Sequence, residues 1–307
     1  MPVTIGTEKF SHFGECRKLT NGTVEVFITS EMGPRIIAYR FVGGTNIFAE
    51  MSLDVKVSHR YGDWRPMGGH RLWHAPEVLP RSYMPDNDPV ELEVIDDDTV
   101  RVIPSAETGV GIQKAITVTL DSEGTGVTII HEISNIGAWP IEVAPWALSI
   151  MNGGGTVIIP QEEFVSHDDY LLPARPLVLW HFTDLTDSRL RLGKKYIRLS
   201  TDSGKDWPNK IGVGNTREWA AYFRQGTLFV KHFPSCDCCE FPDMGCNCET
   251  YTEGNFIELE SLGALTTLEP GETAEHYETW HLFRNVDIGD TEDALDAAIT
   301  PLIEETE

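Results

Sequence analysis

The chain has 307 residues, of which 41% are hydrophobic and 23% charged, values typical of a globular protein with a sizeable core and not of a fibre or a disordered chain. Its 48 acidic and 24 basic side chains give a net charge of −24, which repels nucleic-acid phosphates and anionic lipids, so we expect neither partner. The sequence has no run of roughly 20 apolar residues and no N-terminal secretion pattern, and we therefore expect a cytoplasmic protein.

Apolar residues recur with a period of two along most of the chain, a pattern that predicts β-strands. The segments with this period are 24–28, 35–42, 90–94, 100–102, 112–120, 127–133, 141–150, 156–159, 177–182, 196–200, 219–223, 228–233, 256–262 and 274–283. Turn residues between 94 and 100 and between 120 and 127 predict two hairpins. Strands at this spacing, without alternating helices, predict an all-β antiparallel sandwich formed by residues 1–307 as a single domain.

One helix is predicted near the C-terminus, over about residues 291–304. Thr291 suits the N-cap position, and acidic residues follow it in the first turn. Leu295, Ala298 and Leu302 form a narrow apolar stripe on this helix.

A cysteine-rich loop is predicted over residues 236–248. It holds five of the six cysteines, namely Cys236, Cys238, Cys239, Cys246 and Cys248. Such clusters either bind a metal or form local disulfides. The spacing does not match a zinc knuckle, which leaves two residues between paired cysteines. Zinc or another soft metal is therefore one interpretation, and reduced or disulfide-bonded loop cysteines are the other.

Residues 68–77 read Gly-Gly-His-Arg-Leu-Trp-His-Ala-Pro-Glu and concentrate titratable and aromatic groups in one short stretch. On a helix, His70, His74 and Glu77 would share one face, as in a metal site with two histidines and a carboxylate. The glycine pair and the proline disfavour a helix, however, and an arginine stands where a zincin needs glutamate.

The preferred interpretation of this stretch is a loop that crosses the open face of a sheet. His70 and His74 would then transfer protons, Arg71 would bind hydroxyls or a carboxylate, and Trp73 would stack on a ligand. The alternative is purely structural: Trp73 fills the core and the histidines cap neighbouring backbone.

Two acidic residues near the end of the chain share one strand face. Because side chains alternate along a strand, Glu258 and Glu260 point to the same side. In a pocket, repulsion and burial would raise the pKa of one of them, which suits a general acid or base near neutral pH. On an open, hydrated face the same pair is unremarkable. His131, by contrast, lies on an apolar strand face and is predicted to be a core residue.

Several tracts, taken in order, resemble the galactose mutarotase-like superfamily, and more closely a sugar-epimerase-like group within it. The resemblance spans about residues 30–283 and rests on the order in which these tracts follow one another. The tracts are Gly33-Pro-Arg-Ile-Ile, Gly68-Gly-His-Arg-Leu-Trp, Ile133-Ser-Asn-Ile-Gly, Ala144-Pro-Trp-Ala-Leu, Phe256-Ile-Glu-Leu-Glu, Leu268-Glu-Pro-Gly-Glu and Glu278-Thr-Trp.

The resemblance implies a β-supersandwich that binds a sugar on a concave sheet face and requires no cofactor. Glu258, with Glu260 as the alternative, matches the glutamate that removes the anomeric hydroxyl proton. The strand expected to carry the histidine acid, residues 145–150, contains no histidine. His70 or His74 is therefore the expected acid. The residues expected to bind substrate are Arg71, Trp73, Glu77, Arg35, Trp146 and Lys210.

The predicted function is that of a carbohydrate-active protein, an epimerase or mutarotase-like isomerase acting on a mono- or oligosaccharide. A non-catalytic carbohydrate-binding protein is one alternative. A polysaccharide lyase or a glycoside hydrolase-like enzyme is the other, although a net charge of −24 attracts polyanions poorly.

Overall fold

In the computed structural model, which describes residues 2–306, the chain folds into two facing antiparallel β-sheets. The strands are β1 Thr4–Lys9, β2 Glu15–Thr20, β3 Val24–Thr29, β4 Ile36–Phe41, β5 Val57–His59, β6 Gly62–Trp64, β7 Gly69–Ala75, β8 Glu91–Asp96, β9 Thr99–Ile103, β10 Ile112–Leu120, β11 Val127–Asn135, β12 Ile141–Asn152, β13 Thr156–Pro160, β14 Leu177–Leu179, β15 Leu190–Leu192, β16 Tyr196–Ser200, β17 Asn209–Val213, β18 Trp219–Arg224, β19 Thr227–His232, β20 Cys248–Glu253, β21 Phe256–Leu262, β22 Thr266–Leu268 and β23 Thr273–Arg284. The helical segments are a 3-10 turn at Ser11–Phe13, the single turn α1 at Pro242–Gly245 and the helix α2 at Glu292–Glu304.

The first sheet has the strand order β1-β2-β3-β4-β7-β12-β21-β20-β17-β14, with β22 paired to β12. The second sheet has the order β15-β16-β13-β18-β19-β23-β11-β10-β9-β8, and β5 and β6 form a separate hairpin. Both predicted hairpins are confirmed, as β8–β9 and β10–β11. The predicted antiparallel β-sandwich is therefore the observed architecture.

A large apolar core lies between the two sheets and draws on both of them. The first sheet contributes alternate residues such as Leu72, Ile257 and Leu259, and the second contributes residues such as Ile129 and Trp280. Since only alternate side chains enter this core, the remaining ones on the central strands of the first sheet face away from the second sheet. We call that side of the first sheet its outer face.

The stretch predicted to be a loop is instead the strand β7, in the middle of the first sheet between β4 and β12. The prediction was wrong because Gly68 and Gly69 do not indicate a loop here; Gly69 is the first residue of β7. Gly69 has a φ of 67°, and a Cβ atom on it would lie 2.5 Å from the Ile36 carbonyl oxygen. Glycine is therefore required for β7 to approach β4 closely enough to pair.

The predicted C-terminal helix is confirmed as α2, and the Thr291 hydroxyl accepts a hydrogen bond from the Ala294 N–H at 3.1 Å. Its buried stripe is Leu295, Ile299 and Ile303 rather than the one predicted, and it packs against β13, β18 and β19. Within residues 2–306, no helix combines the length and apolarity needed to cross a membrane.

Polar side chains cross the core where β7, β11 and β23 face one another. His70 Nε2 lies 2.7 Å from His131 Nε2, and His131 Nδ1 lies 3.0 Å from the His276 carbonyl oxygen. Because a carbonyl only accepts, His131 Nδ1 carries a hydrogen, and the neutral ring accepts from His70 at Nε2. His70 Nδ1 then accepts from the Ser149 hydroxyl at 2.8 Å. This chain of hydrogen bonds is satisfied when both rings are neutral.

The surroundings of these histidines disfavour their charged forms. Burial lowers the pKa of His131 and of His276 to about 3 and that of His70 well below its usual value, and the Lys231 ammonium group lowers all three further. Lys231 is itself buried and pairs with Glu278 at 2.8 Å. His131 is thus a core residue, as predicted.

We predict that the free energy of unfolding falls as the pH drops below about 6.5, the pKa of an unfolded-state histidine. Below that pH these histidines are protonated in the unfolded chain but stay neutral in the folded chain, until the pH reaches the folded-state pKa of about 3 of His131 and His276. Each of these histidines contributes up to about 1.4 kcal/mol per pH unit in this window. Urea denaturation at roughly pH 7, 6 and 5 measures the slope.

The control pair for this prediction is His131→Asn and His167→Asn. The first removes one buried histidine and should flatten the slope, whereas the second changes a side chain that is 90% exposed and should leave it unchanged. An unaltered slope in His131→Asn would contradict the assignment.

Candidate functional site

The alternation of side chains along β7 separates the residues predicted to act together. Arg71 and Trp73 lie on the outer face, where Trp73 belongs to an aromatic cluster, whereas His70 and His74 lie in the core between the sheets. The expectation that one loop presents all four to a ligand is therefore wrong, because a strand directs neighbouring side chains to opposite sides.

Neither histidine faces the outer side of the sheet. His70 is hydrogen-bonded to His131 and Ser149, and both residues are fully buried. His74 is also fully buried, and burial lowers its pKa well below the usual value, with Lys114 and Arg81 adding to the shift. The structure thus places both expected acids away from any molecule bound at the outer face.

Glu258 and Glu260 do share the outer face, on β21. The Arg71 Nη2 atom lies 3.1 Å from Glu258 Oε1, and 13% of the Glu258 side chain remains exposed. The Glu260 side chain has no exposure, and its Oε2 atom accepts a hydrogen bond from Trp146 Nε1 at 2.8 Å. Of the two carboxylates, Glu258 is the one that solvent reaches.

A buried lysine bridges two carboxylates beside this pair. Lys210 Nζ lies 2.6 Å from Glu249 Oε2 and 3.3 Å from Glu260 Oε2, and Glu249 stands directly opposite Glu260 on the neighbouring strand β20. Burial raises the pKa of both glutamates, and the lysine opposes this rise. Burial alone would lower the pKa of Lys210, but the two carboxylates raise it. We call Arg71, Lys210, Glu249, Glu258 and Glu260 the charged cluster.

Aromatic rings surround the charged cluster. The Arg71 guanidinium carbon lies 4.6 Å from the centroid of the Trp73 ring, and the Trp73 and Trp146 rings are 5.4 Å apart. Lys210 Nζ lies 4.8 Å from the Trp146 ring and 4.6 Å from the Trp180 ring. Such cation–π contacts stabilise the ammonium and guanidinium groups in their buried positions.

Glycine makes room for one of these rings. Gly212, in β17, lies beside Lys210 on the side of the sheet that Trp180 covers, and a Cβ atom on it would lie 2.5 Å from Cys246 Sγ and 3.1 Å from the Trp180 ring. Lys210 belongs to β17, and the strand fixes it opposite Tyr251 of β20.

A tight turn after β7 places Tyr83 over Trp73, with ring centroids 4.6 Å apart. The turn is held by the Ser82 N–H, which donates to the Val78 carbonyl at 2.9 Å, and by the Tyr83 N–H, which donates to the Pro80 carbonyl at 3.1 Å. The Tyr83 hydroxyl donates to Glu77, which is exposed at the rim.

Arg35, expected to bind substrate, is structural. It is buried, pairs with Asp86, and donates to the carbonyl oxygens of Pro34, Arg65 and Pro66 at 2.7, 3.1 and 3.3 Å. Its Nε, Nη1 and Nη2 atoms are all engaged, so it braces the loop that contains Asp86. The prediction failed because that partner lies 51 residues away in the sequence.

The five clustered cysteines do not form one metal site. Cys236 and Cys239 are joined in a disulfide, and the exposed Cys238 has its sulfur 3.3 Å from that of Cys236. Cys246 and Cys248 are buried as free thiols, and burial raises the pKa of both. The disulfide removes two of the thiolates that a zinc site needs.

Two groups within residues 2–306 bring three metal-ligand atoms within 4.8 Å of one another. One is the exposed set Cys236, Cys238 and Cys239. The other is His70, His131 and Glu278, where the Lys231 ammonium already supplies positive charge 2.8 Å from the carboxylate. The charged cluster on the outer face is not among these groups.

Three residues of this face were not predicted: Glu249, Tyr251 and Tyr83. Glu249 and Tyr251 alternate with Thr250 and Thr252 at period two, a strand signal that the adjacent cysteines obscured. Tyr83 lies in a proline-rich turn, and its position over Trp73 depends on tertiary packing alone.

No protein-family model matches the chain, and no curated protein matches its sequence. Solved structures match its fold. A galactose mutarotase-like protein from Lactobacillus casei superposes with a TM-score of 0.56 at 12% identity, covering 87% of this chain and 100% of that one. A proposed mutarotase from Salmonella typhimurium gives a TM-score of 0.56 at 11% identity, covering 88% and 90%.

A protein from Escherichia coli, proposed to be an aldose 1-epimerase, gives a TM-score of 0.53 at 13% identity and covers 92% of this chain and 99% of that one. Identities this low establish the fold and not the chemistry. The sequence resemblance is thereby confirmed at the level of architecture: the chain has the galactose mutarotase-like β-sandwich fold.

Proposed function

We propose that this protein binds a sugar on the outer face of its first sheet and acts on it as an aldose epimerase-like isomerase, with Glu258 as the base. The observation that carries the proposal is the pair Arg71–Glu258, a partly exposed carboxylate held beside aromatic rings on a mutarotase-like fold. Structural neighbours described as mutarotases and aldose epimerases support the substrate class.

The outer face offers the contacts that a sugar needs. Half-buried rings such as Tyr83 and Tyr251 suit the apolar face of a pyranose, and donors nearby suit its hydroxyls. The Arg71 Nε and Nη1 atoms are buried and have no hydrogen-bond partner within the described residues. Such donors are costly to leave unpaired.

Glu258 is better suited than Glu260 to receive the anomeric proton. A general base must come within hydrogen-bond reach of the proton that it removes. Glu260 is enclosed by Trp146 and Lys210 and has no exposed surface, whereas Glu258 retains some. Glu260 would then act by holding Lys210 in the charged cluster.

A binding-only function is the second candidate. The strand expected to carry the acid is β12, and its residues on the outer face are Trp146, Leu148 and Ile150, none of which titrates. A sandwich that only binds sugars needs no acid there. Measuring binding and turnover on the same protein separates the two candidates.

We predict that Glu258→Gln strongly reduces turnover while preserving the fold. The amide keeps the shape of the side chain and can still accept from Arg71, but it cannot remove a proton, so the rate should fall by about 10²–10⁴-fold. A thermal-shift screen of free aldoses identifies a bound sugar, and NMR exchange between its anomers measures the rate.

The matched control is Glu132→Gln. Glu132 also pairs with an arginine, Arg101, at 2.8 Å and is similarly exposed, but it lies on the second sheet. It should retain wild-type turnover. An aldose that binds without any faster anomer exchange would favour the binding-only function, and undiminished turnover in Glu258→Gln would remove the base assignment.

We predict that Lys210→Met destabilises the protein by roughly 3–5 kcal/mol, because it leaves two buried carboxylates without their cation. The pKa values of Glu249 and Glu260, already raised by burial, should rise further. A carboxyl group whose folded pKa exceeds its unfolded value of about 4.3 loses stability as the pH rises. The deficit measured by urea denaturation should therefore be larger near pH 8 than near pH 5.

Adding Glu249→Gln to Lys210→Met should recover part of the loss. Lys18→Met is the control, since Lys18 also bridges two glutamates but is 22% exposed, and its loss should cost about 1 kcal/mol or less. A Lys210→Met variant as stable as the wild type would contradict the role of the bridge.

A further inference from the structure

The proposed base needs a proton donor on its own face of the sheet. His70 and His74 lie on the other side of β7. His59 contacts the Tyr83 carbonyl at 2.7 Å through Nε2 and accepts from the Tyr61 N–H at 3.2 Å through Nδ1, so both of its ring nitrogens are occupied by backbone groups. The donor is therefore to be found among other side chains.

Tyr83 brings a hydroxyl to this face. Its ring packs on Trp73 at 4.6 Å and on Trp64 at 5.2 Å, and the Arg71 guanidinium lies 4.6 Å from the same Trp73 ring. Tyr83 and Arg71 thus contact the same Trp73 ring, and Arg71 pairs with Glu258 at 3.1 Å. Tyr83 is only half-buried, so a ligand on the outer face can reach it.

We propose that Tyr83 is the general acid of the isomerisation, an inference that rests on the proposed function. Glu258 takes the proton from the anomeric hydroxyl, the bond between C1 and the ring oxygen breaks, and its electron pair goes to the ring oxygen. The Tyr83 hydroxyl delivers a proton to that oxygen. Ring closure on the other face of C1 returns one proton to Tyr83 and one to the sugar, so the enzyme ends as it began.

The surroundings of Tyr83 fit this role. Burial and the hydrogen bond to Glu77 raise the pKa of Tyr83, so the hydroxyl keeps its proton until the ring opens. The departing ring oxygen becomes an alkoxide, which is a stronger base than a phenolate, so the transfer is favourable. The positive charge of Arg71 opposes the rise in pKa and would stabilise the transient phenolate.

Tyr83→Phe tests the inference because it removes the hydroxyl and keeps the ring that packs on Trp73. With the aldose that the wild-type protein turns over, kcat should fall about 100-fold or more while KM changes by no more than a few-fold. The matched control is Tyr277→Phe. The Tyr277 hydroxyl also donates to a glutamate, Glu275, but on the second sheet, and this variant should keep the wild-type kcat.

The two proposals fail in different ways. Wild-type turnover with an unchanged kcat in Tyr83→Phe would overturn the assignment of Tyr83 alone, as would a raised KM with an unchanged kcat, which indicates binding only. A wild-type protein that accelerates anomer exchange in no aldose would overturn the proposed function and the assignment together. Circular dichroism and the melting temperature of Tyr83→Phe verify that the fold is retained.

Discussion

Side-chain alternation along β7 is the constraint on which the interior and the candidate site both depend. One side of the strand sends His70 into a chain of neutral, hydrogen-bonded rings between the sheets, and the other presents Arg71 and Trp73 to the outer face. A shift of one residue would exchange these sets and bury an arginine in the core. Gly69, which alone permits the close approach to β4, helps to hold the register. The stability of the core and the composition of the site are therefore set by the same pairing.

Because β7 presents Arg71 to the outer face, positive and negative side chains there compensate one another. Three carboxylates converge on a buried region in a chain that is already strongly acidic, and two cations offset them. Lys210 is committed to the enclosed pair Glu249 and Glu260, while Arg71 holds Glu258 at the edge that solvent reaches. In the proposed function, this division leaves Glu258 as the reactive carboxylate, while Glu249 and Glu260 help to hold the charged cluster together.

The period-two pattern predicts most strands, and it places Glu258 and Glu260 on one face because that inference is local. The pattern does not identify the partners that chain folding brings together. Glu249 meets Lys210 only because β20 pairs with β17, and Tyr83 meets Trp73 only through the turn after β7. The histidines of β7 were wrongly predicted to lie in a loop, again because the sequence does not show which strands pair. Glycine and proline usually indicate loops, but here glycine is required for β7 to pair closely with β4. The strand β12, which the resemblance matches to the one that carries the acid, contains no histidine, and the proposed acid is therefore a tyrosine.

The most direct test of the proposed sugar site is a crystal structure of the protein with the aldose that raises its melting temperature most. We expect a sugar on the outer face of the first sheet, in contact with Tyr83 and with its anomeric hydroxyl within hydrogen-bond distance of Glu258. A sugar bound elsewhere, for example in the polar pocket lined by Arg189, Arg191 and Asp202, with Arg71 and Glu258 free of contact, would contradict it.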